Sequence, residues 1–168
     1  FAQPASLKSM LIMDMAMCIS LGKCWLDCDS DKLPKFPTKQ SKVLWIDIDN
    51  GSKRQLSRIK TAANGHGITS EFDQFVHISL PQPALLVANE DSKKTLISAI
   101  KAHKIGVVVI DNLLSICGDI DENSSKMRNV MLGLRDIIEE TGVCIIIIHH
   151  TPKSNGDDYR GHSSIEQY

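Results

Sequence analysis

Three short apolar runs constrain this chain more than any other feature: VLWIDID at 43–49, GVVVID at 106–111 and VCIIII at 143–148. Each is too short for a buried helix, is rich in β-branched residues and contains at least four consecutive apolar positions. That is the pattern of a strand covered on both faces. Segments of helical length lie between the runs, so strands and helices alternate and the chain reads as α/β with a mostly parallel sheet. The run at 106–111 is expected to be a central strand, and the run at 143–148 a second buried one.

The helices are legible from periodicity and stop signals. Residues 9–21 are apolar at almost every position, which predicts a buried helix ended by Gly22. A polar helix is expected over 52–63 after the Asn50-Gly51 turn, and another over 90–104, where Leu96, Ile97 and Ile100 share a face. Over 124–141 the apolar residues Met127, Val130, Met131, Leu134, Ile137 and Ile138 recur at spacings of three and four, with Ser124 as N-cap and Gly142 as the stop. Residues 75–78 read as a short strand. Residues 23–42 hold Pro34 and Pro37 and read as a surface loop, and 151–168 form a polar tail.

Composition narrows the function classes. With 168 residues, 42% of them hydrophobic, one domain of ordinary size is expected. Nineteen basic against twenty acidic side chains leave a formal charge of −1, so any polyanion site must be local. The longest apolar stretch, 10–21, is too short to span a bilayer. Cys18, Cys24, Cys28, Cys117 and Cys144 form no CxxC pair, and no leader with a charged start is seen, so a reduced, cytoplasmic setting is expected. The cysteines read as small hydrophobes. Phe1 runs straight into a motif, which leads us to expect a fragment of a longer protein, cut short at both ends.

In open α/β sheets ligands bind outside the carboxyl ends of the strands. Asp47 and Asp49, Asp111, and His149 with His150 fall at such ends. A fourth element, AQPASLKS at 2–9, opens the first helix and resembles the phosphate-binding P-loop, G-x-x-x-x-G-K-[ST]. Ala2 and Leu7 stand at the glycine positions, while Lys8 and Ser9 keep the Lys-Ser pair. In that reading the backbone of Ala5, Ser6, Leu7, Lys8, Ser9 and Met10 cradles phosphates, Lys8 neutralises their charge and Ser9 holds magnesium. A capped buried helix explains the same pair equally well. Asp111 has the form of a Walker B carboxylate that holds magnesium through water, although many strands end in Asp as a cap or turn residue. Asp49 is placed to polarise an attacking water; Asp47 points the same way but deeper, and the Asn50-Gly51 turn offers Asp49 a purely structural role. For His149 and His150 a metal site is disfavoured, because neighbours on a strand point to opposite faces; one of them facing a γ-phosphate is the better reading. Lys53, Arg54 and Arg58, like Lys101, His103 and Lys104, read as solvated helix faces that could also line a nucleic-acid groove.

Taken in order, AQPASLKSMLIMDMAMCISLGKCWL, VLWIDIDNGSKRQLSRI, VVVIDNLLSI and IIIIHHTPKSNGDDYRGHSSI resemble the RecA-type AAA ATPase domain of RepA-like plasmid and phage replicative helicases. The resemblance implies a three-layer P-loop NTPase spanning 1–168, with the P-loop at 2–9, the Walker B strand at 106–111 and a sensor strand at 143–150. It implies magnesium-ATP as substrate, with Lys8 on the β and γ phosphates, Ser9 and Asp111 on magnesium, and Asp49 where the family usually has a catalytic Glu. His150 matches the γ-phosphate sensor, and Arg160 with Gly161 matches a segment near the nucleotide or the subunit boundary. Further implications are a homo-oligomeric ring, single-stranded DNA as partner, a role in DNA replication and no membrane association. The loops 119–124 and 152–162 would face the DNA channel, and only the second is basic.

Overall fold

The computed structural model describes residues 7–26, 36–70, 72–118, 120 and 124–149. Its elements in chain order are α1 (Lys8–Leu21), β1 (Val43–Asp47), α2 (Ser52–Gly65), β2 (Phe75–Ser79), α3 (Glu90–His103), β3 (Val107–Asp111), α4 (Leu113–Cys117), α5 (Met127–Thr141) and β4 (Cys144–Ile148). The four strands form one all-parallel sheet in the order β2-β1-β3-β4.

Register divides the side chains between two cores. Trp45 pairs with Val109 and Val109 with Ile146, and this face packs on Met13, Ala16 and Met17 of α1 and on α2. Leu44, Ile46, Val108 and Ile110 point the other way, onto Leu96, Ile97 and Ile100 of α3 and Val130, Leu134 and Ile137 of α5. Because both of their faces are covered, the inner strands β1 and β3 carry apolar runs up to their terminal Asp47 and Asp111. Gly133 of α5 lies against the chain entering α3: a Cβ there would come within 2.2 Å of the Val87 carbonyl oxygen. Lys93 bonds Asp136 and Lys101 bonds Glu140 across the exposed side of the α3–α5 pair.

Several expectations are corrected. Helix α1 is buried less completely than expected: Met13, Ala16, Met17, Cys18 and Ser20 are buried and Ile12 and Ile19 pack partly buried against the core, whereas Leu11 is exposed, because the face turned to the sheet and α2 is the best covered. Strand β1 ends at Asp47 instead of residue 49, since Asp47 turns its carboxylate onto the backbone and side chain of Asn50. β4 is an edge of the described sheet, so it is only half-buried and Cys144 is exposed, unlike the buried Cys18 and Cys117. Helix α5 starts at Met127 without a side-chain cap; Ser124 instead closes the preceding turn, accepting from the Met127 and Lys126 backbone N–H groups. The short α4 is an addition to the expected elements. Its cap, Asn112, accepts from the Ser115 backbone N–H. Lys53, Arg54, Lys101, His103 and Lys104 are exposed, as expected for solvated faces, whereas Arg58 is half-buried. No helix among the described residues is long and apolar enough to cross a membrane.

Candidate functional site

From β1 the chain passes outward to β2 and then returns to place β3 on the opposite side of β1. The strand order therefore reverses between β1 and β3, and the carboxyl ends of those two strands open a crevice at the point where open α/β sheets bind ligands. Asp111 ends β3 opposite Asp47 of β1, with Ile148 of β4 at the same level. Paired residues on parallel strands share a face, so Asp47 and Asp111 both sit on the side of the sheet that α1 covers.

Lys8, the first residue of α1, comes to this crevice from the other end of the sequence. Burial holds its ammonium below the ordinary range, and the nearby Asp111 carboxylate pulls the other way. Asp111 is 2% exposed, so its charge sits where neighbouring cations and dipoles act on it strongly. Ser9 and Met10, half-buried in the first turn of α1, follow directly. Strand end, helix start and switch point thus coincide, and the arrangement can hold a polyanion against Lys8 and the α1 N-terminus with a carboxylate beside it.

The other acidic residues take different parts. Asp47 is fully buried and structural: one oxygen accepts from Asn50 and the other from the Ser79 hydroxyl at 2.9 Å, tying the β1 turn to β2. Asp49, past the strand end, is exposed to the crevice. Its two oxygens accept from the Asn112 side-chain amide and from the Ser115 hydroxyl, the latter at 3.1 Å. The turn role that the sequence left open for Asp49 thus belongs to Asp47. His149 is buried just beyond β4. Ala5, Ser6, His150 and Arg160 lie outside the described residues, as does Cys28.

A protein-family model described as an AAA domain matches residues 1–156. The chain belongs to the AAA domain family. No curated protein matches it. Membership accounts for the sheet with helices on both faces and makes the AAA domain a nucleotide-binding ATPase module in general terms. It also agrees with the P-loop NTPase fold expected from the sequence.

Sequence reasoning overlooked Asn112 and Ser115, which hold Asp49. The Asn-x-x-Ser spacing after a strand is a cap signature that could have revealed α4 and with it this pair. Gln55 was also overlooked. It is the only buried residue of α2, in the first turn beside the crevice, and its amide has no partner among the described residues. A glutamine in an otherwise polar helix carries no sequence signal for burial.

Leu7 caps α1 in the left-handed conformation, with φ 60° and ψ 14°. That backbone costs an L-residue roughly 1–2 kcal/mol and a glycine almost nothing, which is why the P-loop pattern has glycine at this position. Leu7 is 72% exposed and contributes little burial in compensation. Leu7→Gly is therefore expected to stabilise the AAA domain by about 0.5–1 kcal/mol, after the extra chain entropy of glycine is subtracted. Urea titration would check this; a lower midpoint in the variant would contradict the strain argument.

Proposed function

We propose that this AAA domain binds and hydrolyses magnesium-ATP as one RecA-like module, spanning 1–168, of a RepA-like oligomeric motor. The motor acts on single-stranded DNA in the replication of a plasmid, phage or other mobile element, in the cytoplasm. The observation that carries the ATPase reading is the meeting of Lys8 and Asp111 at the β1/β3 switch point, beside the first turn of α1. The motor reading rests on the resemblance of the four sequence blocks, in their order and spacing, to replicative helicases of that type.

In this reading Lys8 binds the β and γ phosphates, helped by backbone N–H groups of 5–10. Magnesium suits the donors present, since the Ser9 hydroxyl and the buried Asp111 carboxylate are hard oxygen ligands on neighbouring elements. Bound there, it would supply charge neutralisation on the phosphates. Asp49 orients the attacking water, and its carboxylate is held for that task by Asn112 and Ser115. By the resemblance, His150 would sense the γ-phosphate, and Arg160 would act near the nucleotide or the subunit boundary.

The test is magnesium-dependent ATP turnover by the full-length chain, with and without single-stranded DNA. Several-fold stimulation by DNA is the expected result. A second reading, a nucleotide-dependent assembly switch with slow hydrolysis, draws on Asp49 being a short carboxylate already engaged through both oxygens. Tight ATP binding without turnover would favour that switch, and absence of binding would overturn both readings.

A further inference from the structure

A second constellation lies away from the nucleotide crevice, between α1 and α2. Asp14 and Cys18 are four residues apart on α1 and so project from the same face. His66 is the C-cap of α2, and its backbone N–H bonds the carbonyls of Ala62 and Ala63, which fixes the residue at the helix end. The imidazole Nε2 lies 2.8 Å from Asp14 Oδ1 and 4.0 Å from Cys18 Sγ. All three donor atoms are within 4.8 Å of one another, with Cys18 buried and the other two half-buried.

We propose that Asp14, Cys18 and His66 form a zinc-type metal site that joins α1 to α2. A thiolate, an imidazole and a carboxylate are the donor types that four-coordinate zinc takes, and the mixture of soft and borderline ligands disfavours magnesium or calcium. With bonds of about 2.0–2.3 Å, tetrahedral donors stand roughly 3.3–3.7 Å apart. The observed separations straddle that range, so capture of the ion requires relative shifts of about 1 Å or less. Cys24, half-buried just beyond α1, is not among the converging donors, so the fourth position of the proposed site would fall to water. Lys23 donates to the His66 carbonyl at 3.1 Å on the same rim. Burial, and then the Asp14 carboxylate, push the Cys18 thiol up, and Lys23 opposes that shift without reversing it. The bland alternative is an Asp–His hydrogen bond that clamps two helices with a cysteine packed beside it. It explains the 2.8 Å contact and leaves the convergence of the thiol on the same nitrogen to chance.

The site is structural in placement. Asp14 lies six residues, or about 9 Å along the helix, beyond Lys8, and His66 is at the opposite end of α2 from the crevice. A bound ion would fix α1, whose first turn carries Lys8 and Ser9, against α2.

Cobalt titration of the full-length chain tests the proposal without reference to ATPase activity. The expected result is one Co2+ per chain with a thiolate-to-cobalt charge-transfer band and the intense visible bands of a tetrahedral site, both displaced by Zn2+. Cys18→Ser should remove the charge-transfer band. His66→Gln and Asp14→Asn should each weaken binding by at least about tenfold. Asp14→Asn serves as the control for folding, since Asp14 is 46% exposed and the amide still accepts from His66. No tetrahedral cobalt spectrum, or one that persists unchanged in Cys18→Ser, would overturn the proposal.

Discussion

Lys8→Ala is expected to lower magnesium-dependent ATP turnover of the full-length chain by about 10²–10³-fold, comparable to the loss of one preorganised charge-stabilising donor in other sites. The physical basis is placement: the ammonium is partly desolvated at the switch point of the sheet, with Asp111 beside it. Low local polarity strengthens the attraction of that ammonium for phosphate oxygens whose charge builds during phosphoryl transfer. Alanine leaves the α1 N-terminus in place, so residual binding through backbone N–H groups is expected while turnover falls. Lys94→Ala, on the exposed face of α3, provides the matched loss of a cation and should leave turnover unchanged. Initial-rate measurements on the three proteins would decide. Retention of most of the activity by Lys8→Ala would remove Lys8 from the phosphate site and the ATPase assignment with it.

Gly133→Ala is the second large effect expected, and two principles disagree about its sign. Helix propensity alone predicts a gain of about 1 kcal/mol, since glycine is poor in the middle of a helix. Tertiary packing predicts a loss, because the added Cβ would stand 2.2 Å from the Val87 carbonyl oxygen and 3.0 Å from its carbon. Both atoms belong to the backbone entering α3, whose N-cap Asn89 follows two residues later. Relief therefore means moving α5 from α3 and not merely rotating a side chain. Overpacking of this kind costs about 1–3 kcal/mol, and the rigid obstacle places it at the upper end. The net expectation is a loss of about 2 kcal/mol, or a fall of about 4–8 °C in Tm for a chain of this size. Thermal unfolding followed by circular dichroism reads this directly. A rise in Tm would show that α5 stands further from the 85–89 segment than described.

Most elements were legible in the sequence because their signals are local. Apolar runs bounded by Gly and Asn marked β1, β3 and β4, and Gly22 and Gly142 stopped α1 and α5 where expected, each in a left-handed cap. The errors also have local causes. The apolar length of α1 concealed that Leu11 is left exposed while the positions facing the sheet are buried. Composition reports the affinity of a segment for a core; it does not report how much core is present on each side. The α5 start slipped because Ser124 is a good capping residue used for a turn instead.

The candidate site divides in the same way. Lys8, Ser9, Asp49 and Asp111 could be nominated from the sequence alone, since a Lys-Ser pair opening a helix and an acid closing a strand are short-range patterns. The alternation of strands and helices, the parallel sheet and the crevice at carboxyl strand ends were likewise determined by the sequence, through hydrophobic periodicity. Only the tertiary structure decided how the surroundings of two neighbouring carboxylates differ. Asp47 is buried by Ser79 of the adjacent strand and Asp49 is held by Asn112 and Ser115 from the other side, and neither partner is near in sequence. The same holds for Lys8 beside Asp111 and for His66 against Asp14 and Cys18. Local pattern reflects the conformational and burial preferences of a few residues at a time. Strand order, register and the meeting of distant side chains follow from how whole elements pack, which no short stretch of sequence carries by itself.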